Sequence, residues 1–198
     1  MKGRLSSCGL WQSSIEWVPA SRDTGRYCRR TWMVCFLKQE IMAEELKIAS
    51  GTKEEKYRLL LEQVVALTAD ESDDIANMAN VSAMIQETFG FWWTGFYRVQ
   101  EETLVLGPFQ GPLACTRIAY GRGVCGSAWK EQRTLVVPDV ELFPGHIACS
   151  SASRSEIVVP VWRAGRILAV LDIDSEHLAT FDETDRLWLE RLVAVFDR

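Results

Sequence analysis

The sequence has no run of about 18 uncharged apolar residues, so it predicts no membrane-spanning helix. It also shows no internal repeat and no low-complexity stretch, and it contains no CxxC pair of the kind that structural zinc sites use. What remains is a chain of 198 residues, 47% hydrophobic and 25% charged. That composition can bury a full core and excludes wholesale disorder, and the length suits one domain with or without a tail.

The charge is divided unevenly at Met42. Residues 1–41 hold seven basic and three acidic residues, whereas residues 42–198 hold 15 basic and 24 acidic ones. The whole chain has a net charge of −5, which argues against nucleic acid as the main partner because phosphate binding needs a basic surface. We therefore divide the chain into an extension over residues 1–41 and a folded domain over residues 42–198.

Residues 1–41 show no sustained hydrophobic periodicity, so we expect them to be disordered or not part of the native protein. A secretory signal peptide is disfavoured, because no apolar segment follows the basic start. Two alternatives stay open: translation that begins naturally at Met42, or an organellar presequence rich in Arg and Ser. The expected location is the cytoplasm, with an organelle as the alternative.

The regular part begins with a capping box at Thr52 and Glu55. Two helical stripes follow, and Gly90 ends the second. We predict strands over 91–99, 103–109, 135–137, 157–162 and 167–173, a short helix over 124–132, a long loop over 138–155, and a final helix capped by Asp182. Short turns between adjacent strands predict an antiparallel sheet covered by helices, which is the α+β class.

Three of the six cysteines lie in loops or beside glycine-rich turns. They are Cys115, Cys125 and Cys149, whereas Cys8, Cys28 and Cys35 fall in the extension. Thiol–disulfide chemistry needs an exposed thiolate and a second thiol within reach, and loops offer the exposure and the mobility for it, although the sequence alone does not show that the three cysteines meet. A zinc site formed by these three with His146 is an alternative, although its spacing is unusual for structural zinc.

Carboxylates and aromatic residues form a second candidate group. Asp172 and Asp174 flank one strand residue, so both point to the same face, and Glu156 opens the preceding strand and can join them. Neighbouring carboxylates raise one another's pKa, which suits a proton donor beside an acceptor for an amine. Trp93 and Tyr97 also share a face, as a pocket wall or as core.

These residues stand in motifs that together resemble the free methionine-(R)-sulfoxide reductases, a family built on a GAF domain. The motifs are FWWTGFY at 91–97, GPFQGP at 107–112, AC at 114–115, IAYGRGVCG at 118–126, VPD at 137–139, PGHIAC at 144–149, SEIVVP at 155–160 and LDIDS at 171–175. The resemblance extends from about residue 53 to residue 196. It is specific because HIAC, SEIVVP and LDIDS occur in that order.

The resemblance implies a role for each candidate. Cys149 matches the catalytic cysteine, which attacks the sulfoxide sulfur and becomes a sulfenic acid. Cys115 matches the resolving cysteine, and Cys125 matches a third cysteine that serves in exchange toward the reductant. The implied substrate-binding residues are Trp93, Tyr97, Glu156, Asp172 and Asp174, and backbone amides of the long loop are expected to hold the substrate carboxylate.

The resemblance also implies partners. Electrons are expected from a thioredoxin-like protein, with no metal or organic cofactor, and the helix pair makes a homodimer plausible. One departure is Ser150, which stands where the family usually has an acidic residue. A GAF module that binds a small molecule without turnover is the alternative from a different class.

Overall fold

The computed structural model describes residues 45–146 and 152–198, which form an antiparallel sheet of six strands. The strands are β1 (Trp93–Gln100), β2 (Thr103–Gln110), β3 (Arg117–Ala119), β4 (Leu135–Val137), β5 (Ser155–Arg163) and β6 (Arg166–Ser175), in the spatial order β3-β2-β1-β6-β5-β4. β1 and β6 therefore pair at the centre of the sheet although more than 60 residues separate them. The predicted antiparallel α+β architecture is confirmed.

The described residues also form four α-helices. They are α1 (Lys53–Thr68), α2 (Asp74–Phe89), α3 (Gly123–Glu131) and α4 (Glu183–Val193), and a 3-10 turn (Ala194–Phe196) follows α4 directly. Within the described residues, no helix is long and apolar enough to cross a membrane. The extension predicted over residues 1–41 lies outside the described residues and stays a prediction.

The helix ends form where the sequence predicts them. Thr52 and Glu55 make the capping box of α1, with the Thr52 amide donating to Glu55 Oε2 at 2.7 Å. Gly90 ends α2 in the left-handed conformation, with φ at 67°. Asp182 caps α4 by accepting hydrogen bonds from the amides of Thr184 and Asp185. These short-range signals are reliable because each depends on residues within one helical turn.

The two faces of the sheet pack against different layers. One face carries the main apolar core, in which Phe96, Leu171 and Ile173 meet α1, α2 and α4. The opposite face carries a smaller cluster beneath α3. Within α4, Leu187 is 41% exposed, whereas Leu189 is buried in the main core. The neighbouring elements, which the sequence does not show, decide which side of α4 is covered.

Candidate active site

Three acidic side chains from two paired strands meet on the face beneath α3. Glu156 on β5 lies directly opposite Asp174 on β6, and Asp172 lies two residues further along the same face. All three line one pocket, as the sequence predicts. Glu156 and Asp172 are each 6% exposed. Among the described residues, no ion pair joins any of the three to a cation.

Burial and mutual repulsion keep protons on this cluster. Burial raises the pKa of Glu156 well above its usual value, and the charges of Asp172 and Asp174 add to the effect. Burial followed by the charge of Asp174 does the same for the pKa of Asp172. The pKa of Asp174 rises only to about 6, since a hydrogen bond from the Ser153 hydroxyl opposes the effect of burial. The cluster can therefore hold a protonated carboxyl beside a carboxylate near neutral pH.

An aromatic wall from β1 bounds the same pocket. The rings of Trp93 and Tyr97 stack with centroids 5.9 Å apart, and Trp93 also stacks on Phe109 at 5.4 Å. Gly95 lies between Trp93 and Tyr97 on this face, opposite Asp172. A Cβ at Gly95 would approach Cη2 of Trp93 to 2.6 Å, so glycine is needed for the indole to lie across the strand. The predicted pairing of Trp93 with Tyr97 is confirmed.

The three candidate cysteines have different surroundings. Cys149 lies outside the described residues. Cys115 is disulfide-bonded, and its carbonyl oxygen accepts a hydrogen bond of 3.0 Å from the Tyr97 hydroxyl, which places its backbone at the aromatic wall. Cys125 is a free thiol in the first turn of α3 and is 3% exposed.

The pocket also contains residues that the sequence analysis does not assign to the site. Ser153 donates to Asp174 from the loop before β5, and His146 lines the opposite part of the pocket. Arg122, Gly123 and Val124 line it from the start of α3, where the first backbone N–H groups of the helix have no intrahelical partner. In the sequence, Gly121 and Gly123 are the features that mark the start of α3, but they predict only a turn and not a pocket.

One set of side chains has the spacing of a metal site. The Cys125 thiol and one carboxylate oxygen each of Glu156 and Asp172 lie within 4.8 Å of one another and are buried. A metal there would have to displace protons from groups whose pKa is raised. The zinc alternative with Cys115, His146 and Cys149 includes a residue outside the described part of the chain. The expectation that the protein uses no metal stays a prediction.

Comparison with known proteins assigns the chain to a family. Residues 73–196 match the GAF domain family. The chain is 56% identical to GAF domain-containing protein A of Dictyostelium discoideum over 79% of this chain and 99% of the relative. It is 45% identical to the free methionine-R-sulfoxide reductase of Escherichia coli over 74% of this chain and 89% of that enzyme.

A solved structure agrees with the sequence relatives. The X-ray structure of free methionine-R-sulfoxide reductase from Neisseria meningitidis in complex with its substrate is 54% identical, with a TM-score of 0.75, and the match covers 77% of this chain and 93% of that chain. The fold, the clustered carboxyl groups and these similarities lead to one conclusion: the chain belongs to the GAF-domain family of free methionine-R-sulfoxide reductases.

Proposed function

We propose that this protein reduces free L-methionine (R)-sulfoxide to methionine and that a thioredoxin-like dithiol protein restores it. The observation that carries the proposal is the buried carboxyl cluster, which faces an aromatic wall beside a disulfide-bonded cysteine. Such a pocket offers a proton donor, an anion and an apolar surface, and the free amino-acid sulfoxide needs all three. The names of the relatives support the same substrate.

The pKa values suggest a different role for each carboxyl group. Asp174, with a pKa of about 6, is mainly ionised at pH 7 and is the proposed partner of the substrate ammonium. Burial raises the pKa values of Glu156 and Asp172 well above the usual range, so this pair is the proposed source of the proton. That proton is proposed to reach the sulfoxide oxygen as the S–O bond breaks.

The remaining parts of the substrate match the other walls. The S-methyl group is proposed to lie against Trp93 and Tyr97, whose rings offer an apolar, polarisable surface. The substrate carboxylate has a candidate partner in the N-terminus of α3, where Gly123 and Val124 line the pocket and the helix dipole favours an anion. Amides of the long loop, the partner expected from the resemblance, remain an alternative, since residues 147–151 are not described.

The proposed redox steps balance with two cysteines. The Cys149 thiolate attacks the sulfoxide sulfur, the oxygen is transferred with a proton, and methionine leaves a sulfenic acid on Cys149. The Cys115 thiol then displaces water and forms a Cys115–Cys149 disulfide. A dithiol protein reduces that disulfide by exchange and becomes oxidised itself. The disulfide-bonded state of Cys115 supports its assignment as the resolving cysteine.

The direct test is a coupled assay with thioredoxin, thioredoxin reductase and NADPH, using the separated R and S epimers. We expect NADPH oxidation with the free R epimer, and little with the S epimer or with peptide-bound sulfoxide. Cys149→Ser should lose at least about 1000-fold in turnover, because the nucleophile is gone. Ser150→Ala is the matched control from the same loop and should retain activity.

A thiol count separates this proposal from a sensor without turnover. The reduced protein, treated with substrate and no reductant, should lose two thiols per chain. A binding module should lose none. Full turnover by the Cys149→Ser variant would contradict the assignment of the nucleophile, and an unchanged thiol count in the unmodified chain would contradict the proposed activity.

A further inference from the structure

We propose that Cys125 is a positioning residue: its thiol donates its hydrogen to the buried Glu156–Asp172 pair and stays reduced throughout turnover. This inference rests on the proposed reductase function and assigns a role different from the exchange role that the resemblance implies. It concerns how the pair holds the proton that the reaction needs. Cys115 and Cys149 remain the two cysteines that change oxidation state.

The geometry places the thiol directly over the pair. Cys125 Sγ lies 3.9 Å from Glu156 Oε1, a long and weak S–H···O contact, and it is close to Asp172 as well. Asp172 Oδ1 is buried and has no hydrogen-bond partner among the described residues, so the pair has few donors. Apart from the hydrogen bond between the two carboxyl groups themselves, the Cys125 thiol is the side-chain donor that the described residues offer to this pair, so even a weak S–H donor affects it.

The backbone of α3 holds the thiol at this position. At Gly126, the next residue, an added Cβ would lie 2.5 Å from the Ala119 carbonyl oxygen, so α3 packs directly against the backbone of β3. The Gly126 carbonyl also accepts a hydrogen bond of 3.0 Å from the Gly121 amide. This close packing fixes the first turn of the helix and therefore fixes where the Cys125 side chain points.

The same surroundings disfavour exchange chemistry at Cys125. Thiol–disulfide exchange needs a thiolate that an external protein can reach. Cys125 is buried, and burial together with the charges of Asp172 and Glu156 raises the pKa of its thiol well above the usual value. It is also a free thiol while Cys115 is disulfide-bonded.

The direction of the effect follows from the charges around the pair. Burial and carboxylate repulsion raise the pKa of Glu156 and of Asp172, and contact with the Cys125 thiol lowers both. The other titratable groups of the pocket are Tyr97 from β1, Asp174 from β6, Arg122 from the start of α3 and His146 from the long loop. Removal of the thiol leaves these groups in place, so the pKa values of the pair should rise.

The experiment compares the pH profile of kcat/KM in Cys125→Ala and Cys125→Ser. The alanine variant should move the alkaline limb of the profile, which reports loss of the proton from the pair, to higher pH by about half a unit, the effect of one weak hydrogen bond. The serine variant keeps an O–H donor and should return the profile most of the way to that of the unmodified chain. A loss of packing alone would lower kcat/KM at all pH values without moving the limbs.

A second measurement follows the oxidation state of Cys125. After one turnover without reductant, the protein is unfolded, alkylated and digested, and the Cys125 peptide should carry the alkyl group while Cys115 and Cys149 do not. An unmoved profile in Cys125→Ala, no rescue by serine, or a disulfide at Cys125 would each overturn the inference. If the unmodified chain reduces the R epimer in the same assay, such a result leaves the proposed function standing.

Discussion

At the residue scale, the site contains buried acidic side chains that the stability of the fold does not require. Glu156 and Asp172 are buried with no cation of the described residues paired to them, and each raises the free energy of the folded state when it ionises. Their folded pKa values exceed the unfolded ones, so the folded chain binds more protons than the unfolded chain above about pH 4. The free energy of unfolding should therefore fall as the pH rises from about 4 through the pKa of about 6 at Asp174 and beyond.

The Glu156→Gln variant tests directly how much ionisation of this buried carboxyl destabilises the folded state. The variant removes one proton donor and one source of repulsion but keeps a similar shape. We expect turnover to fall by about 100-fold or more, and the free energy of unfolding at pH 8 to rise by about 1 kcal/mol. Urea unfolding at pH 5 and pH 8 gives the stability, and the coupled assay gives the activity.

Glu190→Gln is the matched control, because Glu190 is a partly exposed carboxylate on α4, paired with Arg186 outside the pocket. It should leave both the turnover and the pH dependence of stability nearly unchanged. Equal pH dependence in Glu156→Gln and the unmodified chain would contradict the view that this carboxyl is protonated in the fold.

At the element scale, strand register and helix caps decide how the site is assembled. The β5–β6 pairing sets Glu156 opposite Asp174, and the β1–β6 pairing sets Gly95 opposite Asp172. A shift of either strand by one residue would turn its functional side chains to the main core. Helices α1, α2 and α4 fix this arrangement from the other side of the sheet, so their caps contribute to stability without contact with the pocket.

The Asp182→Ala variant should lower stability without affecting the chemistry of the pocket. Asp182 caps α4 and pairs with Lys53 at 2.9 Å, and these contacts hold α4 beside α1. We expect a loss of about 1–2 kcal/mol in the free energy of unfolding with little change in kcat, measured by urea unfolding and the coupled assay.

Among the described residues the exposed neighbour Glu183 pairs with Arg186 alone, so Glu183→Ala is the control and should lower the free energy of unfolding much less than Asp182→Ala does. Hydrogen bonds to the charged form lower the pKa of Asp182 to about 2. Its contribution to stability should therefore disappear as the pH falls from about 4 toward 2, and a cap effect that is unchanged at pH 2 would contradict this reading of Asp182.

At the scale of the whole molecule, the division of charge near Met42 leads to a prediction about truncation. Every described residue of the site lies beyond residue 92, and the first capping box begins at Thr52. A chain that begins at Met42 should therefore keep the turnover and the unfolding midpoint of the full chain. The coupled assay and thermal unfolding measure both.

A chain that begins at Lys56 is the control, because it lacks Thr52 and Glu55 and so loses the α1 cap. It should be destabilised by about 1 kcal/mol or more. Loss of activity in the Met42 chain would show that residues 1–41 take part in the reaction, and would overturn their assignment as an extension.

Local features of this protein follow from its sequence alone. Capping boxes, the glycine that ends α2 and the same-face positions of Asp172 and Asp174 all depend on residues a few positions apart, so they could be predicted from spacing. The motifs further indicated the family and the candidate residues, although Cys149 lies outside the described residues and its role stays a prediction.

Which of these residues meet, and in what environment, depends on how distant segments of the chain pack together. The pairing of β5 with β6 put Glu156 beside Asp174, and the packing of α3 on the sheet buried Cys125 over the carboxyl pair. Ser153 and the start of α3 joined the pocket without a distinctive sequence signal. Strand register and burial depend on contacts between distant segments, and the pKa values that govern the chemistry follow from those contacts rather than from residue type.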